Sequence, residues 1–130
     1  MATIKRYEEL EIWKKARILC QNIFQIIHTD NFQKDRKLLD QINASSGSVM
    51  DNIAEGFERD SKNEFRQFLS IAKGSCGEVR SPLYRAFDRK YLSDEKFEEL
   101  RSFSEEISKQ LSALITYLNK SDIKGIKYKT

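Results

Sequence analysis

Residues 61–87 read SKNEFRQFLSIAKGSCGEVRSPLYRAF, and the fold turns on this stretch. It opens with Ser61-Lys62-Asn63-Glu64, a capping-box pattern in which the serine and the glutamate satisfy orphan N–H groups at a helix start. Phe65, Phe68, Ala72, Ser75/Cys76, Val79, Leu83 and Ala86/Phe87 then recur at spacings of three and four, which is the period of one buried helical face. The pattern predicts a helix to about Lys90. Pro82, the only proline, falls inside it. Its ring meets the carbonyl of Glu78, so a kink near residues 78–82 is expected, at a cost of about 3 kcal/mol unless packing compensates.

Working outward, the same period recurs on both sides. Upstream, Leu38, Leu39, Ile42, Ser45/Ser46, Val49, Ile53 and Phe57 predict a helix from about Arg36 to Gly56, with Gly56 as its C-terminal cap. Its middle, Ala44-Ser45-Ser46-Gly47-Ser48, is small enough for a neighbouring helix to approach closely. Downstream, Ser93 followed by Asp94 and Glu95 marks a helix start. Leu100, Phe103, Ile107, Leu111, Leu114, Ile115 and Leu118 carry that helix to about Asn119. A further helix is predicted from Tyr7 to His28. Its rows Ile12/Leu19/Ile26 and Trp13/Cys20/Ile27 form an arc wider than one core-facing stripe. The surplus predicts subunit contact through Ile12, Trp13, Leu19 and Ile26.

Four amphipathic helices with short links specify an all-α protein, an antiparallel up-down-up-down four-helix bundle. Residues 1–119 form the bundle and residues 120–130 a basic tail with no face to bury. At 130 residues, with 5 glycines and 1 proline, the chain has neither the length for two ordinary domains nor the turn residues of a many-stranded sheet.

Several chemistries lack their residues. Cys20 and Cys76 form no CxxC, and neither zinc-ribbon nor disulfide frameworks fit. His28 is the single histidine, which removes the Glu-x-x-His pairs of di-iron bundles and any Ser-His-Asp set. No GxxxxGK[ST] loop occurs. Gly74-Ser75-Cys76-Gly77 spells the GxxG of nucleic-acid clamps, but it lies within a helix, where close packing against Ser45–Ser48 is the expected role. The sequence therefore calls for no enzyme activity, no metal and no cofactor. The charged N-terminus and the absence of a long apolar run point to a cytoplasmic protein with no membrane partner.

Charge is segregated. The net charge is +3, and residues 1–119 are formally neutral, so the surplus sits in the tail with Lys120, Lys124, Lys127 and Lys129. Residues 59–91 are basic, whereas 30–58 and 92–119 are acidic. Arg59, Arg66, Lys73 and Arg80 are each seven apart, so on one helix they form a single stripe, with Lys62 beside it. Two readings follow. The stripe pairs with acidic helices of its own or a neighbouring subunit, or it faces phosphates, with Lys124, Lys127 and Lys129 of the tail adding to the same surface.

The runs Leu39-Asp40-Gln41-Ile42 and Asn52-Ile53-Ala54-Glu55-Gly56-Phe57 with Arg59, then Phe65, Phe68-Leu69, Ile71-Ala72, Gly74-Ser75 and Glu78, resemble a known family. It comprises four-helix bundle proteins first noticed as reading frames in intervening sequences of bacterial 23S rRNA genes. The resemblance covers about residues 7–118, and Pro82 is not part of the pattern. It implies an antiparallel four-helix protomer and a ring-like homopentamer. It also implies kinship with the accessory proteins of diversity-generating retroelements, basic pentamers that bind nucleic acid and a reverse transcriptase. It supplies no catalytic residues. Glu55 and Glu78 then read as helix-packing or subunit-contact carboxylates, with Arg59 or Arg80 as partners. The expected function is a non-enzymatic oligomer that binds RNA or DNA backbone; the competing expectation is a protein–protein adaptor or scaffold.

Overall fold

The computed structural model describes residues 3–120. A single 3-10 turn at Tyr7–Glu9 precedes five α-helices: α1 (Glu11–Ile27), the short α2 (Asp30–Gln33), α3 (Arg36–Glu58), α4 (Lys62–Asp88) and α5 (Asp94–Lys120). The four long helices close a square in the order α1, α3, α4, α5, each packed on two neighbours. Cross-helix bonds fix the directions. Along the α3/α4 seam, Gln41 pairs with Arg85 and Ser48 with Ser75. Along the α4/α5 seam, Arg66 pairs with Asn119 and Arg80 with Ser104. Numbers rise on one helix as they fall on the next, so the neighbours are antiparallel.

Caps explain where three helices begin. Leu38 N donates to Asp35 Oδ1 at α3, Glu64 N to Ser61 Oγ at α4, and Lys96 N to Ser93 Oγ at α5. Each bond satisfies one of the donors a helix start leaves orphaned. The core between the helices is apolar and closed: Leu19, Ile23, Ile42, Ile53, Phe57, Phe65, Leu69, Leu83, Leu100 and Ile107 are fully buried. Each such side chain stabilises the bundle by about 1.5–3 kcal/mol relative to exposure.

Three sequence expectations change. The first helix is shorter than Tyr7–His28. Lys5 N and Arg6 N both donate to Glu9 Oε2 at 2.9 Å, which closes a separate turn, and extended backbone at Leu10 interrupts it before α1. Gly56 is not a cap. α3 runs on to Glu58, and the chain reverses at Asp60, whose φ of 55° lies in the left-handed region. Gly56 is required for another reason: a Cβ there would stand 2.6 Å from Phe68 Cβ and 3.1 Å from Phe65 Cδ1. It lets α3 and α4 meet near their joining turn. Finally, α2 escaped notice, although it buries Phe32 completely beneath the α1/α3 link. α4 itself is unbroken through Pro82, which is buried.

Candidate nucleic-acid interface

The predicted basic residues divide into two groups. Arg59 does not lie on α4; it is the C-cap of α3. It contacts Glu55 Oε2 at 2.8 Å and Glu64 Oε1 at 3.4 Å, with its guanidinium 5.1 Å from the Phe68 ring centre. The hydrogen bond it donates to Glu55 and the charges of Glu55 and Glu64 raise its pKa above the ordinary arginine value. This residue is neutralised at the α3/α4 corner, and the four-residue stripe is reduced to three members on one helix. Lys62, the first residue of α4, is half-buried beside that corner.

Arg66, Lys73 and Arg80 remain, on the flank of α4 that meets α5. Their spacing extends over about 21 Å of helix at 1.5 Å per residue. Among the described residues, none of them pairs with a carboxylate. Arg66 donates to the side-chain oxygens of Asn63 and Asn119, and its Nε is buried with no partner among the described residues. Arg80 Nη1 donates to Ser104 Oγ at 3.3 Å, and Ser104 Oγ donates to the carbonyl of Cys76 at 3.1 Å. Lys73 is exposed and makes no hydrogen bond or ion pair with a described residue. Neutral partners orient a guanidinium without cancelling its charge.

These three cations line a continuous groove between α4 and α5. One part, of about 610 Å³, is lined by Ser70, Lys73, Gly74, Arg80, Ser108, Ser112, Ile115 and Thr116. The adjoining part, of about 470 Å³, shares Ser70 and Ile115 and adds Asn63, Arg66, Gln67 and Asn119. Among the described residues, no carboxylate lines either part. The acidic residues of α5 point elsewhere: Glu98 and Glu105 hold Arg101, Glu99 holds Lys96, and Glu106 reaches Lys15 of α1 at 2.9 Å. Pairing within the protomer thus accounts for Arg59 but not for the groove.

Sequence reasoning missed the opposite wall. Ser108, Ser112 and Thr116 stand at i, i+4 and i+8 on α5, a row of hydroxyls next to the core positions. That spacing was readable, but the residues were passed over because none is charged. The tail lysines Lys124, Lys127 and Lys129 lie outside the described residues.

The predicted subunit-contact residues are placed differently from expectation. Ile12, Leu19 and Ile26 are buried in the protomer's own core, and Trp13 packs on its edge against Tyr7, ring centres 5.2 Å apart. A bundle whose first helix sits between α3 and α5 needs that wide arc for itself. The true apolar surplus of α1 is Ile18, 46% exposed, and Phe24, 58% exposed. Phe24 borders a shallow groove of about 720 Å³ with Arg17, Cys20 and Met50.

The motif residues hold the α3/α4 seam. Asn52 Nδ2 donates to the Ser48 carbonyl at 2.8 Å and to Ser48 Oγ at 2.9 Å, and Ser48 Oγ shares a 2.8 Å bond with Ser75 Oγ. The expected packing of the 74–77 segment on 45–48 is therefore made by serine hydroxyls. Gly74 faces open space, with nothing within 4 Å of a Cβ added there. Glu55 holds Arg59; Glu78 is exposed and makes no contact with Arg80.

The family described as 23S rRNA-intervening sequence protein matches residues 8–113. The chain belongs to this family. The intervening-sequence fold is also seen in a solved structure from Bacteroides thetaiotaomicron, a protein of unknown function from the S23 ribosomal protein family. It is 26% identical, covers 80% of this chain and 97% of its own, and superposes with a TM-score of 0.73. No curated protein matches. Among the described residues, no helix of this family member is long and apolar enough to cross a membrane, and no group of three His, Cys, Asp or Glu could hold a metal ion. Burial pushes the Cys76 thiol up to about 11, and burial also raises Cys20, so neither sulfur is an activated thiolate.

Proposed function

We propose that this protein is a non-enzymatic, cytoplasmic, oligomeric bundle that binds nucleic-acid backbone along the α4/α5 groove. One observation carries the reading: Arg66, Lys73 and Arg80 share a groove with no carboxylate among its described lining residues. Two guanidiniums held by neutral groups, with an exposed lysine between them, suit a line of phosphates, and binding releases the counterions condensed on the polymer. The resemblance to pentameric relatives and the exposed Ile18 and Phe24 support a homopentamer as the assembly. Five grooves on one particle would raise avidity without any new contact. The lysines at 124, 127 and 129 add charge with no sequence preference.

The test is binding to duplex RNA and DNA across a salt series. With three phosphates neutralised per protomer, log K should fall with log salt at a slope of about −3 per engaged groove. Lys73→Glu, which removes no internal contact, should weaken binding at every salt concentration. Absence of binding at low salt, or an unchanged affinity in Lys73→Glu, overturns the proposal. The second reading, an adaptor without nucleic acid, draws on Phe24 and its apolar groove. Protein partners that stay bound after nuclease treatment would favour it.

A further inference from the structure

We infer that the α4/α5 groove recognises ribose as well as phosphate, and so selects RNA over DNA. One sugar–phosphate strand lies lengthwise in it, phosphates toward Arg66, Lys73 and Arg80, 2′-hydroxyls toward Ser108, Ser112 and Thr116. The inference rests on the backbone-binding reading above and deepens it.

The two walls differ in kind. The α4 wall supplies three cations. The α5 wall supplies three hydroxyls on one helical face, one turn apart, a step of about 6 Å at 1.5 Å per residue. Buried or seam-forming serines elsewhere in the bundle use their hydroxyls internally. Ser45 Oγ donates to the carbonyl of Gln41, Ser46 Oγ to that of Asn43, and Ser104 Oγ to that of Cys76; Ser48 and Ser75 bond each other. Ser108, Ser112 and Thr116 make no hydrogen bond with a described residue. They are free to act outward, and each can both donate and accept.

A sugar–phosphate strand has the matching asymmetry, with anionic oxygens along one edge and, in RNA alone, a donor-acceptor hydroxyl on each sugar. The 2′-hydroxyl is the group by which a protein separates RNA from DNA at a given position. The groove is long enough for several nucleotides of one strand, since Arg66 to Arg80 spans about 21 Å of helix. Among the described residues no aromatic side chain lines the groove, so the recognition runs through the backbone and is independent of sequence.

The experiment compares three duplexes of one sequence at one salt concentration: RNA, fully 2′-fluoro RNA and DNA. The fluorinated strand keeps the ribose pucker and loses the O–H donor. RNA should bind at least about fivefold tighter than the 2′-fluoro duplex, the effect of one net hydrogen bond. The triple variant Ser108→Ala, Ser112→Ala, Thr116→Val should lower RNA affinity to the 2′-fluoro level and leave 2′-fluoro and DNA binding unchanged. Its helical circular dichroism and melting reveal any folding defect, and Ser112→Ala alone, with a smaller loss confined to RNA, serves if the triple variant unfolds. Equal affinity for RNA and 2′-fluoro RNA, both weakened by Lys73→Glu, overturns ribose recognition and leaves backbone binding standing. An RNA preference that survives the hydroxyl variants also overturns it, because the preference then arises elsewhere. If none of the three duplexes binds, both readings fall.

Discussion

The α4/α5 groove and the outer face of α1 are both exposed, yet they leave opposite needs unmet. The groove holds Arg66, Lys73 and Arg80 opposite unbonded hydroxyls, with no carboxylate among its described lining residues. The outer surface of α1 carries Phe24 and Ile18, large apolar side chains about half in water and about 120° apart around the helix. The first surface lacks anions; the second lacks cover. Exposed cations cost a folded protein little, whereas a large apolar side chain left half in water beside a groove, as Phe24 is, gains from being covered by a partner. Under the proposed function, nucleic acid belongs to one face and a second protomer to the other, and that division can be broken experimentally.

The largest effect is expected at the groove. Lys73→Glu combined with Arg80→Glu reverses two charges and should weaken RNA-duplex binding by about 100-fold at low salt, with each charge-contact loss also flattening the salt slope by about 0.9. Particle mass should not change. Next comes the apolar face. Phe24→Asp with Ile18→Asp should reduce the mass seen by light scattering to that of the single 15.3 kDa chain. Exposed positions make little contribution to folding, so protomer stability should stay within about 0.5 kcal/mol. If the charge reversals dissociate the particle, or the aspartates abolish binding by a free protomer, the division between the faces is wrong.

A pair of glycines sharpens the same contrast. Gly56→Ala drives a Cβ into Phe68 at the α3/α4 seam and should destabilise by about 1–3 kcal/mol in denaturant unfolding. Gly74→Ala, on the groove wall with open space around it, should instead stabilise by about 0.5–1 kcal/mol through helix propensity. The two residues belong to the same motif and answer to different physics.

Much of this was legible in the sequence. The 3.6-residue period placed α3, α4 and α5 within two residues at most ends, and Ser61 and Ser93 marked their starts correctly. What periodicity could not reveal was partnership. A stripe of seven-spaced cations reads the same whether it is paired or open, and Arg59 turned out to be paired because the chain reverses at Asp60, which puts it on a different helix from Arg66. The arc of α1 reads the same whether it faces a sister helix or a sister subunit. Ile12, Leu19 and Ile26 were absorbed by the core because the square packing covers α1 on two sides. Ser108, Ser112 and Thr116 were missed because a neutral row carries no charge signal.

The smallest effect lies at the opposite end of the bundle, remote from Arg66 and Asn119. Asp35 is partly desolvated, which raises its pKa, but hydrogen bonds from Tyr91 at 3.0 Å and Arg89 at 2.7 Å outweigh this and hold the carboxyl below its usual range. A carboxylate with a depressed folded-state pKa contributes stability above its unfolded pKa of about 3.9, and that stability is lost as pH falls through the folded value. Asp35→Asn keeps an N-cap at α3 and should remove this acid-side dependence, lowering the melting temperature slightly at pH 7 and not at pH 2. Binding by the groove and assembly through α1 should both be unaffected.

The division of labour between the faces is tested most directly by photocrosslinking. A benzophenone amino acid is placed at position 70, on the groove floor, or at position 24, on α1, and each protein is irradiated with labelled duplex RNA. The account predicts protein–RNA adducts from position 70 and covalent protein dimers from position 24. RNA adducts from position 24 with none from position 70 would contradict it.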